Sequence, residues 1–283
     1  MMFFKMQGLG NDYVYIDCVN GKEPIDIKKL SKKISDRHFG VGSDGLILLC
    51  KSKIADLKMR MFNSDGSEAQ MCGNGIRCVA KLGYELGLIH DEITTIETLS
   101  GIKSLKLNII KGKVKNVEVD MGEPILEPNK IPLLQDKCVE INGKIIKANM
   151  KIKNKNVELT CVSMGNPHAV TFVKNLKELE IEKYGPILEQ SSIFPEKANI
   201  EFVEIVDKEN IKMRVWERGT GETLACGTGA CSSVVASCLN NYTNRKVKVQ
   251  LLGGNLEIHW KRNNHVYMSG PAVTVFKGEW INE

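Results

Sequence analysis

Apolar and polar positions alternate in short runs along most of this chain. Such runs recur at Tyr13–Asp17, Leu46–Leu49, Lys58–Phe62, Val114–Val119, His168–Val173, Ile200–Val206, Ile211–Trp216, Val247–Leu252 and Leu256–Trp260. Many are β-branched, and glycine, asparagine or proline punctuates them, which predicts strands broken by turns. Helical spacing is clear in three places. Ile27, Leu30 and Ile34 form one stripe; Ile76, Val79, Ala80 and Leu82 follow Cys72; Ala230, Val234, Val235, Cys238 and Leu239 follow Cys226. The last segment is apolar on nearly every side, the pattern of a buried helix. The prediction is a strand-rich α/β (α+β) protein with about one buried helix in each half. The stretch Gly122–Pro132, with Pro124, Pro128 and Pro132, is the best boundary between halves.

The two cysteine-led helices belong to an internal repeat. Placing Cys72 on Cys226, an offset of 154, puts Gly73 on Gly227, Gly75 on Gly229 and Glu68 on Glu222. The strand ending at Phe62 falls on the one ending at Trp216, and Gly45–Leu48 falls on Asn199–Phe202. Gly10-Asn11 matches Gly165-Asn166 at an offset of 155. Several matches at nearly constant offset indicate a duplication, each half ending a strand, turning through a polar loop and presenting a cysteine at a helix start.

Composition narrows the class. The 283 residues make roughly two domains at the usual ~100–200 residues each. Hydrophobic residues at 42% and charged residues at 26% exclude a disordered or collagen-like chain. A formal charge of +5, spread along the chain, gives no basic stripe for nucleic acid but is compatible with a small anionic substrate. No apolar run approaches the ~20 residues that span a bilayer, and the N-terminus lacks the ~7–15-residue apolar stretch of a secretory signal. Nine scattered cysteines, an odd number, fit a soluble protein in a reducing compartment, with the cytoplasm as the expected location.

Both cysteines precede a glycine-spaced turn, Cys72-Gly73-Asn74-Gly75 and Cys226-Gly227-Thr228-Gly229. A turn feeding a helix exposes free N–H groups at the positive end of the dipole. A thiolate is stabilised there, and a carboxylate can bind there. Two such halves suggest a thiol on either side of one bound molecule. Inverting a stereocentre through a planar carbanion needs that arrangement, a base on one face and an acid on the other. General acid–base catalysis supplies ~10²–10⁴-fold per well-placed group, and helix N-termini aimed at an α-carboxylate would stabilise the carbanion. The ordinary alternative is that a cysteine beside a helix is a small buried hydrophobe. Cys18, Cys50, Cys78, Cys138, Cys161, Cys231 and Cys238 are read that way or as inert surface thiols. No C-x-x-C occurs and no histidine lies at ligand spacing beside these cysteines, so no metal site is expected.

At these residues the sequence resembles the diaminopimelate epimerase family. Phe62–Cys78 resembles the family's first-cysteine motif and Glu217–Cys231 its second; Lys5–Asp12, Gly165–Val170 and Asn199–Val203 are similar to its other signature segments, in order and at its spacing. The resemblance implies a cofactor-independent, two-base inversion at one α-carbon of diaminopimelate, interconverting L,L and meso forms in lysine biosynthesis. By that resemblance Cys226 is the proton acceptor and Cys72 the donor in the L,L-to-meso direction. Gly73-Asn74 and Gly227-Thr228 hold the α-carboxylate. Asn11, Asn63, Asn166, Asn199, Glu217 and Arg218 hold the substrate, chiefly its distal end, and His168 and Glu217 tune the thiols. It also implies two pseudo-symmetric domains, each a curled, mostly antiparallel sheet around a central helix, with the active site in the cleft between them. The domains would be 1–127, rejoined by 272–283, and 128–271, in a homodimer that closes to exclude water.

Taken singly, each residue has a plainer reading: an asparagine at a strand end is often a turn or cap residue, His168 a strand-start histidine, and Glu217-Arg218 a solvated charge pair. Two positions depart from the family pattern. Gly45 stands where some members carry a polar side chain, and Gln70 replaces an acidic residue before the first cysteine. Proline racemase shares the facing-cysteine plan and is the nearest alternative; a thiol-redox or cysteine-rich binding protein is the alternative from another class. A Ser- or Cys-His hydrolase is disfavoured, since no nucleophile elbow or triad spacing occurs.

Overall fold

In a computed structural model, residues 1–134, 138–141, 145–152 and 155–281 are described. The chain divides into two compact units, Met1–Asp120 with Ser269–Glu283, and Met121–Met268. The boundaries expected from sequence, 127/128 and 271/272, lie slightly further along.

The first unit runs β1 (Met2–Gly8), β2 (Asn11–Asp17), α1 (Ile27–Ser35), β3 (Gly45–Cys50), β4 (Leu57–Asn63), β5 (Glu68–Ala69), α2 (Gly73–Glu85), β6 (Ile93–Thr98), β7 (Gly101–Ile110) and β8 (Lys113–Asp120). The second continues with β9 (Cys138–Ile141), β10 (Ile145–Ile152), β11 (Lys155–Ser163), β12 (Pro167–Phe172), α3 (Ile181–Glu189), β13 (Asn199–Ile205), β14 (Asn210–Glu217), β15 (Gly221–Thr223), α4 (Gly227–Leu239), β16 (Lys246–Leu251), β17 (Gly254–Trp260) and β18 (Val266–Pro271). The last strand, β19 (Val273–Glu279), pairs antiparallel with β1 of the first unit.

Pairing within the two units follows one plan. In the first, β1–β2 is antiparallel, β2–β3 parallel, β3–β4 and β4–β5 antiparallel, and β4–β6 parallel. In the second, β11–β12, β12–β13, β13–β14, β14–β15 and β14–β16 repeat that series in the same orientations. Parallel neighbours need a crossover, supplied by α1 between β2 and β3 and by α3 between β12 and β13. The crossovers bury both faces of the central strands: β3 is buried at every position, and β13 from Asn199 to Val203.

Each unit wraps its sheet around one 13-residue helix. Strands β1–β4 and β6–β8 pack on α2, and β11–β14, β16 and β17 on α4. Encirclement explains why α2 is buried from Gly73 to Gly83. It also explains Gly83: a Cβ there would stand 2.7 Å from Leu57 Cδ1 and 2.8 Å from Ile89 Cδ1. By contrast α1 is a one-sided surface helix. It is capped by the Asp26 carboxylate on the Lys29 N–H at 3.0 Å and buries Leu30 and Ile34. Helix α3 has no forecast in the sequence reading, because Pro186 sits inside it and breaks its hydrogen-bond ladder. Packing holds it instead; a Cβ on Gly185 would lie 2.5 Å from the Trp216 indole.

Candidate active site

In the first unit the β4–β5 hairpin delivers Cys72 to the head of α2 in extended conformation, as N-cap. Its sulfur accepts from the Gly75 N–H at 3.4 Å and donates to Asn11 Oδ1 at 3.2 Å. Asn11 opens β2, and its Nδ2 donates to Asp44 Oδ2 at 2.8 Å. The same Asp44 oxygen accepts from the Asp12 N–H at 3.0 Å, while Arg37 Nη2 bridges Asp12 and Asp44 at 2.9 Å each. Lys5 Nζ completes the cluster on Asp12 and the Gly42 carbonyl. Burial alone would push the Asp12 carboxyl up, but Arg37 and Lys5 more than offset that and hold it below the usual range. Burial, with Cys72 beside it, pushes the Tyr13 hydroxyl far up, so it stays a neutral phenol.

The first turn of α2 is braced from below. Arg77, fully buried, donates to the Gly73 carbonyl at 3.0 Å, Asn74 Oδ1 at 2.9 Å and the Pro271 carbonyl at 3.2 Å. Asn63, at the end of β4, turns its Nδ2 to Ser67 Oγ at 3.0 Å within the hairpin. Gly45 has no room for a side chain, since a Cβ would stand 2.1 Å from the Phe62 carbonyl oxygen. Gln70 is exposed, so its lost charge would act on Cys72 only through solvent.

In the second unit Cys226 precedes α4 in the same extended conformation, yet its side chain does not cap the helix. It is buried, and its sulfur lies 3.5 Å from Thr228 Oγ1. From Thr228 a chain of contacts runs inward. Asn166 Nδ2 reaches Thr228 Oγ1 at 3.4 Å, Asn166 Oδ1 faces His168 Nε2 at 3.1 Å, and His168 Nδ1 meets Glu201 Oε1 at 2.7 Å. Both ring nitrogens of His168 are thus engaged, one by the Asn166 amide and one by the Glu201 carboxyl. Glu217, partly buried at the end of β14, is bonded by the Thr223 hydroxyl. Burial pushes its carboxyl up, against that bond. Burial also pushes the Cys226 thiol well up, reinforced by the charges of Glu217 and Glu201 and partly offset by the Thr228 hydroxyl and the Gly229 N–H.

Glu217 and Arg218 do not pair with each other. Asn199 accepts the Arg218 N–H on Oδ1 at 2.9 Å and donates Nδ2 to the Pro167 carbonyl at 3.1 Å, so its amide is committed to backbone at both ends. The Arg218 side chain is exposed, with Nη1 on the Glu196 carbonyl at 3.0 Å. Thus Asn11, Cys72, Gly73 and Asn74 cluster in one unit; Asn166, His168, Glu217, Cys226, Gly227 and Thr228 cluster in the other. The sequence reading passed over Tyr13, Asp44, Arg77 and Glu201. Asp44 carried a faint signal, lying in a turn just before an apolar run. Glu201 carried none, because an acid alternating with Ile200 and Phe202 reads as solvent-facing.

Of the other cysteines, Cys50, Cys78, Cys161 and Cys231 are buried, and Cys18 and Cys238 are half-buried. The Cys138 side chain lies outside the described residues. Among the described residues no three or more His, Cys, Asp or Glu side chains converge as a metal site, and no helix is long and apolar enough to cross a membrane.

The family model for diaminopimelate epimerase matches residues 3–127 and 160–275. A diaminopimelate epimerase of Acetivibrio thermocellus is 55% identical over 99% of this chain and 98% of its own length. One from Methanococcus maripaludis strain S2 is 55% identical over 99% of both. Among solved structures, a PhzF-family phenazine biosynthesis protein of Bacillus anthracis superposes with a TM-score of 0.69 at 17% identity, over 100% of this chain and 99% of that one. A probable proline racemase of Agrobacterium radiobacter gives 0.70 at 12% identity, over 100% and 93%. The solved structures share the two-domain epimerase fold.

Proposed function

The chain belongs to the diaminopimelate epimerase family, and on that premise we propose that it interconverts L,L- and meso-diaminopimelate, one thiol from each half serving the same α-carbon. It is an isomerase. The observation that carries the reading is that Cys72 and Cys226, 154 residues apart, each stand immediately before a 13-residue buried helix.

One sulfur, as thiolate, takes the α-hydrogen as a proton and leaves the electron pair on carbon. The other thiol delivers its own proton to the opposite face, so the product differs only in configuration. Cys226 accepts and Cys72 donates in the L,L-to-meso direction, and the roles exchange in reverse. A thiol held up by burial is a strong base once ionised, which suits removal of a weakly acidic hydrogen. The N–H groups at Gly73-Asn74 and Gly227-Thr228 bind the α-carboxylate and stabilise the carbanion. Asn11, Asn63 and Asn166 contribute amides to the substrate. Arg218 offers its fork to the distal carboxylate, with Asn199 fixing the Arg218 backbone. His168 and Glu217 tune Cys226. The chemistry requires no cofactor and no metal.

The proposed setting is the cytoplasm, in lysine biosynthesis, acting on a small-molecule substrate without nucleic acid or membrane. A homodimer is supported by β19, which exposes Val273, Val275 and Phe276 along the edge of the first unit. The test is conversion of L,L- to meso-diaminopimelate by purified protein without added cofactor, with proline as the control. Turnover of proline and none of diaminopimelate would overturn the reading.

A further inference from the structure

Strand β13 is buried on both faces. Ile200 and Phe202 enter the core of the second unit, which by alternation puts Asn199, Glu201 and Val203 on the opposite face, toward α4. A Cβ on Gly229 of α4 would stand 2.8 Å from Glu201 Oε1 and 3.3 Å from Cys226 Sγ. Carboxylate and thiol therefore press on the same gap, kept open because residue 229 has no side chain.

Glu201 is 0% exposed, and so is His168 opposite it. One carboxylate oxygen is used by His168 Nδ1 at 2.7 Å; the other, Oε2, has no hydrogen-bond partner among the described residues. The effective penalty for a buried charge is several kcal/mol, and a half-satisfied carboxylate recovers only part of it. A fold under selection for stability alone would place an aliphatic side chain here.

The other half of the molecule does that. In the parallel pairs, Tyr13 is opposite Gly45 as His168 is opposite Asn199. Two residues further along lie Ile47 and Glu201. Beneath α2, a Cβ on Gly75 would stand 2.8 Å from Ile47 Cδ1, the same distance at the same place. The fold thus accepts a Tyr–Ile pair where the second unit carries His–Glu, so the His–Glu pair is no requirement of the architecture.

We infer that Glu201 is a positioning residue for the Cys226 half of the reaction: it locks the His168 ring through Nδ1, and with it the Asn166 and Thr228 side chains beside the thiol. The inference rests on the epimerase reading above. The ionisable groups facing Glu201 are His168 from β12, Glu217 from β14 and Cys226 at the head of α4. Its direct neighbours across the sheet, Val170 and Val215, are apolar. Its charge also works against ionisation of the thiol, in the same sense as that of Glu217.

The test compares wild type, Glu201→Gln and Glu201→Asp as full chains. It measures kcat and KM on L,L-diaminopimelate, and the rate of Cys226 alkylation by iodoacetamide, resolved by peptide, from neutral to alkaline pH. Glu201→Gln is expected to lower kcat roughly tenfold, equivalent to about 1.4 kcal/mol, with KM little changed and the alkylation midpoint moved to lower pH. Glu201→Asp retains the charge but shortens its reach, so kcat falls while the midpoint stays near that of wild type. If Glu201→Gln yields no folded protein, the Asp variant decides: wild-type kcat in it overturns the proposal. In folded Glu201→Gln, wild-type kcat overturns it, and so does a kcat loss with an unmoved midpoint, which marks a merely structural role. A wild-type enzyme that does not epimerise diaminopimelate would instead overturn the reading on which this rests.

Discussion

The two halves put a sulfur at the same point of the same fold and then surround it differently. Cys72 caps its helix, leans on the Asn11 amide and is steadied from outside by Asp44, Asp12, Arg37 and Lys5. Cys226 leaves its helix uncapped and sits in the interior, with Thr228 beside it and two carboxylates, Glu201 and Glu217, behind. The Cys72 sulfur holds hydrogen bonds to Gly75 and Asn11, whereas burial and the charges of Glu217 and Glu201 push the Cys226 thiol up against the Thr228 hydroxyl and the Gly229 N–H. A duplicated scaffold thus fixes where a reactive group stands, while the strand positions beneath it differ, Tyr13 and Ile47 in one half against His168 and Glu201 in the other. Two thiols serving opposite faces of one carbon need matched positions but not matched surroundings.

The sharpest way to break the comparison is to remove either sulfur. Cys72→Ser and Cys226→Ser should each lower epimerisation by roughly 10²–10⁴-fold, assayed by conversion of L,L- to meso-diaminopimelate. Near-wild-type turnover in either variant would remove that half from the mechanism. Next in size is the transplant of one half's solution into the other. Glu201→Ile with His168→Tyr replaces a buried histidine–carboxyl pair by apolar and aromatic groups, and exchanging a buried polar pair for well-packed apolar groups is often neutral or stabilising. The double variant should melt at or above the wild-type temperature yet lose about tenfold or more in kcat. A lower Tm with unchanged kcat would reverse the assignment.

The pH dependence separates the thiols further. Cys226 is held up in the folded state, so on raising pH the unfolded thiol ionises first. Its stabilising contribution is fully present below the ordinary thiol range, begins to fall there, and is lost as pH rises on through the raised value of the folded state. Urea midpoints for wild type should therefore fall more steeply at alkaline pH than those for Cys226→Ala. A smaller effect is expected from Asp44→Asn, which loosens Asn11: a several-fold drop in kcat, with the Cys226 alkylation profile unmoved. A shift of that profile would mean that the halves are not tuned separately. The smallest change is Arg37→Ala, where half-exposed pairs are worth ~0.2–1 kcal/mol in stability; chemical denaturation should detect at most that.

Much of this was legible from residue order. The cysteine–glycine turns, the stripes behind Cys72 and Cys226, and the 154-residue offset all reappear as α2 and α4, each enclosed by equivalent strands. What escaped was whatever depended on burial of a second strand face. Glu201 looked solvated because alternation distinguishes the two faces of a strand but not which face a helix will cover. Helix α3 escaped because Pro186 argues against it locally while packing on Trp216 holds it. The partners of the Asn199 amide, the Pro167 carbonyl and the Arg218 N–H, are a matter of strand register that no single segment displays.

The most direct measurement is isotopic. L,L-diaminopimelate is turned over in deuterated water and sampled before appreciable reversal, and the hydrogen at each α-carbon is read by NMR or mass spectrometry. Two thiols, one donating what the other did not take, require that the first meso product carry solvent deuterium at the inverted carbon while the remaining L,L substrate stays unlabelled. Meso product that retains the substrate's own hydrogen would mean a single group ferries it across, and would contradict the account.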